Sequence, residues 1–318
     1  MYPSPFSTLA KIQLSRRRAA RLIGGGAAAL TFDRLRPESL SASGATSSTQ
    51  PSIQKERPLM NSNNQTPETA SPTVVLVHGA FADSSSWNGV VELLQEAGVN
   101  VTSAPNPLRG LAHDAAYVAS FVNQVPGPVL LVGHSYGGAV ITNAGSNAEN
   151  VVGLVYVAAF APDEGETLLE VEQGSRDSVL LTALVPLQYP TGNGTETATE
   201  FAIDPAKIQE AFSADLSAGQ SAIIAATQRP IAEVAFAEKS GVPAWKSLPA
   251  WSIVPSGDKA VGSDVVRSMA ERAGATIIEA DASHVVMISQ PQLVTDVILT
   301  ALEGVKNGAT KEATVAAA

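Results

Sequence analysis

The sequence predicts an α/β protein: a mostly parallel sheet of about six strands flanked by helices, with an inserted helical lid. Two observations carry this reading. From residue 73 onward, short β-branched and apolar runs alternate with stretches of helical length, and this alternation stops near Pro162 and resumes at Trp251. With 318 residues, 45% apolar and 16% charged, the chain can also bury a sizeable core.

The elements follow in order. Thr73–His78 is a continuous apolar run ending in Gly79, as expected of a strand buried on both faces. A helix is expected over Trp87 to Ala97, then a strand over Val99–Ser103. A helix over Ala112 to Asn123 leads through Pro126-Gly127-Pro128 into a strand over Val129–Val132, and Val151–Val157 is a fourth strand. Residues 162–245 read as helices and loops, with Asp204-Pro205 opening a helix through Phe212 and another over Ser217–Thr227. Strand texture returns at Trp251–Val254 and Ala275–Ile278, and a helix runs from Pro291 to Leu302. The implied organisation is a disordered leader over 1–70, a core over 71–161 and 246–306, the lid over 162–245, and a flexible tail over 307–318. No internal repeat is visible.

Charge is uneven. Residues 1–59 hold nine Lys/Arg against three acidic residues, a balance of +6, which leaves −16 on the remainder. An acidic body repels phosphate backbones, so nucleic acid is not an expected partner. In the basic head, Ser15-Arg16-Arg17, the weakly apolar Leu22–Phe32 and Ser43-Gly44-Ala45 resemble a twin-arginine export signal with a small-residue cleavage site. Export to the periplasm or medium is the expectation; a cytoplasmic protein starting at Met60 is the alternative. No apolar run reaches about 20 residues, so membrane insertion is not expected. The absence of cysteine excludes disulfides and a thiolate nucleophile. Four scattered histidines without ligand spacing suggest no metal site.

The strongest local signal is Gly133-His134-Ser135-Tyr136-Gly137, directly after one expected strand and before an apolar stretch of helical length. A G-x-S-x-G in a strand-turn-helix setting is a nucleophile elbow: the serine sits on a strained turn, and small neighbours let strand and helix approach. An ordinary Gly-rich turn with a surface serine is the plain alternative. A serine hydroxyl needs a base. His134 adjoins Ser135 and should point away, His78 ends a strand, and His113 lies on a surface helix. His284 follows the last expected strand by a short loop, at the sheet edge where catalytic groups gather, and is therefore the expected base. Asp258, just beyond the strand ending at Val254 and 26 residues before His284, is the expected orienting carboxylate. Asp281, Asp264 and Asp163 are its rivals. The amides of Tyr136 and of Ala80, the latter ahead of Phe81 in the same loop, are the expected oxyanion donors, each worth about 10²–10³ in rate. Phe81 and Trp245 are expected to line the substrate site. Leu168, Leu169, Leu180, Leu181 and Leu184 either join them or form the core of the lid.

Together, Val77–Ala82, Trp87, the elbow with Gly138, Val157–Asp163 and Ser283-His284 resemble the α/β-hydrolase superfamily. The similarity covers about residues 72–305. It is nearest to small bacterial esterase-like members and more distant to the plant methylesterase and hydroxynitrile lyase branch. The resemblance implies the α/β-hydrolase fold, a cofactor-free hydrolase, and a lid over a catalytic triad. The lyase branch has a lysine after the catalytic histidine and a threonine in the oxyanion loop; here those positions are Val285 and Ala80, which argues against cyanohydrin cleavage. The expected function is a serine hydrolase of small to medium carboxylic esters acting through an acyl-enzyme. A cofactor-free perhydrolase or haloperoxidase, or a C–C hydrolase, would share the triad, and a non-catalytic binding protein would share the fold. The sequence leaves the physiological ester and the oligomeric state open.

Overall fold

The computed structural model describes residues 71–316, with side chains to residue 308. The segment expected to be a leader, with its resemblance to an export signal, and Met60 lie outside the described residues. In chain order the core opens with β1 (Thr73–Val77), a 3₁₀ turn (Ser84–Trp87), α1 (Asn88–Glu96), β2 (Val101–Ala104) and α2 (Leu111–Val122). It continues with β3 (Val129–His134), α3 (Tyr136–Ala144) and β4 (Val151–Val157). An insertion then carries α4 (Leu168–Gly174), α5 (Leu180–Ala183), β5 (Leu184–Pro190), β6 (Thr197–Ile203), α6 (Ile208–Ala211), α7 (Ala218–Thr227), β7 (Ile231–Ala232) and α8 (Val234–Ala237). The core resumes with β8 (Ala250–Pro255), α9 (Ser263–Arg272), β9 (Thr276–Ala280), α10 (Val286–Ser289) and α11 (Pro291–Ala316).

The main sheet has six strands in the order β2-β1-β3-β4-β8-β9, all parallel. β3 lies in its middle and is buried at every position, as its unbroken Val-Leu-Leu-Val run requires. α3 packs over β1, β3 and β4 and against α2, while α11 packs over β4 and β8 and against α1. The chain enters the sheet on β1, steps outward to β2, and returns through β3 in the centre. That reversal is where an open α/β sheet leaves a crevice at its carboxyl edge.

The insertion corrects the expectation of a purely helical segment. β5, β6 and β7 form an antiparallel sheet, with Leu184 paired to Ile203 and Pro190 to Thr197. The strand character is set by β6, which alternates along Thr197–Ile203 and buries Phe201 and Ile203. β5 is an edge strand, the one place where Pro186 and Pro190 are tolerated, and those prolines mask its period in the sequence. The helix expected from Asp204 shrinks to α6. The Asp204 carboxylate and carbonyl instead take the amides of Ala206 and Lys207 at 3.0 and 2.8 Å, closing a turn. α7 starts where expected, with a reciprocal Ser217/Gln220 cap. The last helix is longer than the expected Pro291–Leu302: α11 continues to Ala316, because residues 303–316 contain good helix formers that outweigh Gly304 and Gly308. Among the described residues no helix is long and apolar enough to cross a membrane.

Candidate active site

The site is assembled from loops at the carboxyl ends of β1, β3, β8 and β9. Ser135 follows β3 with φ 53° and ψ −124°, a left-handed conformation that a residue with a Cβ adopts at a penalty of about 1–3 kcal/mol. The surroundings hold it there. Its amide donates to the Val157 carbonyl at 3.2 Å, and its carbonyl accepts from Gly138 at 2.9 Å and Phe160 at 3.2 Å. The glycines are a packing requirement. A Cβ on Gly133 would lie 2.6 Å from the Gly137 carbonyl oxygen, one on Gly137 would strike the Val77 carbonyl, and one on Gly79 would lie 2.6 Å from Ser135 Cβ. The loop after β1 therefore rests directly on Ser135.

His284 and Asp258 are fully buried. Nδ1 of His284 lies 2.9 Å from Oδ2 of Asp258, and Oδ1 of Asp258 accepts the amides of Ala260 at 2.8 Å and Val261 at 3.1 Å. A carboxylate that already accepts at one oxygen makes the imidazole the donor at the other, so the proton sits on Nδ1 and the lone pair on Nε2. Nε2 is buried with no hydrogen-bond partner among the described residues, Ser135 Oγ included. The rival aspartates are placed elsewhere. Asp163 pairs with Lys246 at 2.6 Å, Asp264 with Arg176 at 3.3 Å, and Asp281 is exposed.

His134 does more than turn away. It is buried, its Nε2–H donates to the His284 carbonyl at 3.0 Å, and its ring lies 4.6 Å from that of His284. Burial holds it well below the ordinary histidine value, and His284 lowers it further, so it is a neutral platform beneath the second imidazole.

The two expected oxyanion amides differ in what engages them. Tyr136 is the first residue of α3, where a backbone N–H has no intrahelical acceptor. Its phenol is tied back to Asp114 by a 2.8 Å bond, and burial followed by that carboxylate raises its pKa well above the usual tyrosine value. In the loop after β1, Phe81 has φ 59° and its amide donates to the Arg229 carbonyl at 3.1 Å. That bond removes Phe81 as an oxyanion donor. Among the described residues, no hydrogen bond engages the amide of Ala80. His78 braces the loop: Nδ1–H donates to the Gly79 carbonyl at 2.9 Å, and Nε2 accepts from Arg229 Nη1 at 3.3 Å. Burial lowers its pKa, in keeping with that neutral form.

A cavity of about 190 Å³ adjoins the site, lined mainly by apolar side chains of the insertion, the β1 loop and α10. Phe81 lines it as expected. Trp245 does not: its indole N–H donates to the Pro162 carbonyl at 3.3 Å. None of the five leucines lines this cavity; Leu168, Leu169, Leu180 and Leu184 are packed inside. Three residues to which the sequence reading gave no role in the site stand at it. Phe212 packs its ring 4.9 Å from His284, and Asp215 accepts the Ser283 amide at 3.0 Å and the Ser283 hydroxyl. The third is His134, whose only sequence signal was its place in the elbow.

Comparison with known proteins follows the same lines. The profile of the alpha/beta hydrolase family matches residues 74–297. A carbendazim hydrolyzing esterase of Nocardioides sp. (strain SG-4G) is 32% identical over 108 residues, 30% of this chain and 45% of that protein. The aligned part is thus under half of the relative's length. Among solved structures, polyneuridine aldehyde esterase superposes with a TM-score of 0.62 at 21% identity, over 73% of this chain and 99% of that one. A pyrethroid hydrolase from Sphingobium faniae JZ-2 gives 0.59 at 20%, over 73% and 97%. A methylesterase from Arabidopsis gives 0.60 at 20%, over 73% and 99%. At these identities the solved structures speak for the fold alone, while the family profile spans most of the chain: it belongs to the alpha/beta hydrolase family.

Proposed function

We propose that the protein is a serine hydrolase that cleaves carboxylic esters through an acyl-enzyme, with Ser135 as nucleophile, His284 as base and Asp258 as its orienting carboxylate. The observation that carries this is a buried imidazole whose Nδ1 is fixed by Asp258 and whose Nε2 is unpartnered, on the same edge as a strained elbow serine. The esterase among the curated relatives supports the substrate class.

In the reaction, Ser135 Oγ attacks the ester carbonyl carbon while its proton passes to His284 Nε2. Nε2 and the Ser135 hydroxyl are not hydrogen-bonded to each other, in keeping with catalytic hydrogen bonds that tighten only once substrate is bound. The negative oxygen accepts from the Tyr136 and Ala80 amides. Collapse breaks the bond to the alcohol oxygen, which takes the proton from His284. Water then gives its proton to His284 and attacks the acyl carbon. The second collapse releases the acid, and Ser135 Oγ recovers the proton.

The test is hydrolysis of para-nitrophenyl acetate together with fluorophosphonate labelling. Ser135→Ala is expected to lower kcat by about 10⁴-fold or more, and the label is expected on the Ser135 peptide. Undiminished hydrolysis by Ser135→Ala, or a label on another residue, refutes the assignment.

A further inference from the structure

The cavity beside the site does not open onto the groups that would do the chemistry. Its wall includes Phe81, Phe212 and Val285, each adjacent to or stacked on the site, but neither Ser135 nor His284. Ser135 is 6% exposed and His284 not at all. The ring of Phe212 spans the boundary. On one side it lies 4.9 Å from the His284 ring and on another it meets Phe81 edge-on at 6.2 Å, while it also forms part of the cavity wall.

The backbone carrying that ring is tied down at both ends. The Phe212 and Ser213 amides donate to the Ile208 carbonyl at 3.0 and 3.2 Å, and Asp215 clasps Ser283, the residue before His284. The Ser283 hydroxyl also lies 3.4 Å from the Phe212 carbonyl. With the main chain held, the freedom left at the boundary is rotation of the ring itself. Beyond it, Leu216, Ile223, Ile224 and Met287 offer an apolar surface, and among the described residues Asp83 is the one ionisable group on the wall. Such a chamber suits a neutral, apolar group and repels an anionic one.

We propose that Phe212 is a specificity-determining residue: its ring partitions Ser135 from the cavity, and the cavity takes the bulky apolar portion of an ester once the ring has swung aside. This rests on the assignment of Ser135 and His284 made above. Phe212 touches no reacting bond in this scheme, so its role appears in the ratio of substrates, whereas a purely structural defect lowers the rates for all esters alike.

The experiment compares kcat/KM for para-nitrophenyl octanoate and para-nitrophenyl acetate in the wild type, Phe212→Ala and Phe212→Trp, with fluorophosphonate labelling and thermal melting of each. Phe212→Leu replaces Phe212→Ala if the alanine variant does not fold. The octanoate-to-acetate ratio is expected to rise at least tenfold in the small variant and to fall in Phe212→Trp. A ratio that stays within twofold in every folded variant, with Ser135 still labelled, overturns the partition and leaves the hydrolase reading standing. A wild type that neither takes the label nor cleaves either ester overturns both.

Discussion

Replacing Asp258 by asparagine tests the geometry of the site more sharply than deleting the side chain. Its two oxygens both accept: Oδ1 from the amides of Ala260 and Val261 at 2.8 and 3.1 Å, Oδ2 from His284 Nδ1 at 2.9 Å. An amide of the same shape has one acceptor and one donor end. If its oxygen keeps the two backbone amides, its NH₂ faces Nδ1, and the imidazole must shift its proton to Nε2. The lone pair that would take the Ser135 proton is then gone. A wrong tautomer of this kind lowers kcat by about 10⁴, equivalent to ~5 kcal/mol in the barrier. If the amide turns over, its NH₂ meets two buried N–H groups instead, and each unsatisfied donor costs about 1–3 kcal/mol. Neither orientation preserves both activity and stability. The assay is steady-state hydrolysis of para-nitrophenyl acetate with urea unfolding of the same preparation. A variant within tenfold of wild-type kcat and with an unchanged urea midpoint would refute the tautomer argument and the role of Asp258 with it.

Two other perturbations address different links. Ser135→Gly should be inactive yet more resistant to thermal unfolding than Ser135→Ala, because glycine accepts φ 53° without the penalty an alanine Cβ meets; equal melting temperatures would show that the elbow is not strained. Glu172 is buried in α4, and burial pushes its carboxyl up to about 8, with the Ser178 hydroxyl pulling the other way and Asp258 and Asp264 adding to the rise. The folded state then holds a proton that the unfolded chain has released, so this contribution to stability is full below about 4.5 and is lost as pH rises toward 8. Urea midpoints of the wild type should fall between pH 5.5 and pH 8 more steeply than those of Glu172→Gln, and parallel slopes would remove Glu172 from the account.

The central sheet and the elbow were legible because both are written locally. The Val-Leu-Leu-Val run of β3 and the glycines around Ser135 are contiguous in sequence, and their spacing states the packing they need. The placement of His284 and Asp258 beyond the last strands followed from chain order. The insertion was less readable for physical reasons. Pro186 and Pro190 sit within β5, where an edge strand permits them but a sequence reading takes them as breaks. Phe212 and Asp215 owe their positions to contact with the His284 loop; Asp215 and Ser283 are 68 residues apart, and no local pattern records such a meeting. Trp245 shows the converse. A large aromatic at the end of the insertion suggested a pocket wall, but its indole N–H found a carbonyl inside the packing.

The bond between the Phe81 amide and the Arg229 carbonyl limits how this protein can be re-engineered. It stitches the turn beside Ala80 to residues beyond β4, as the Asp215 clasp stitches them to the turn before His284. A chimaera carrying another relative's segment between β4 and β8 would inherit the reactive groups intact and still misplace them unless the donor segment reproduced both attachment points. Under the proposed assignment, Phe212 and the reacting groups lie in separate stretches of chain joined by two fasteners, and grafts should be chosen by those fasteners before any wall residue is considered.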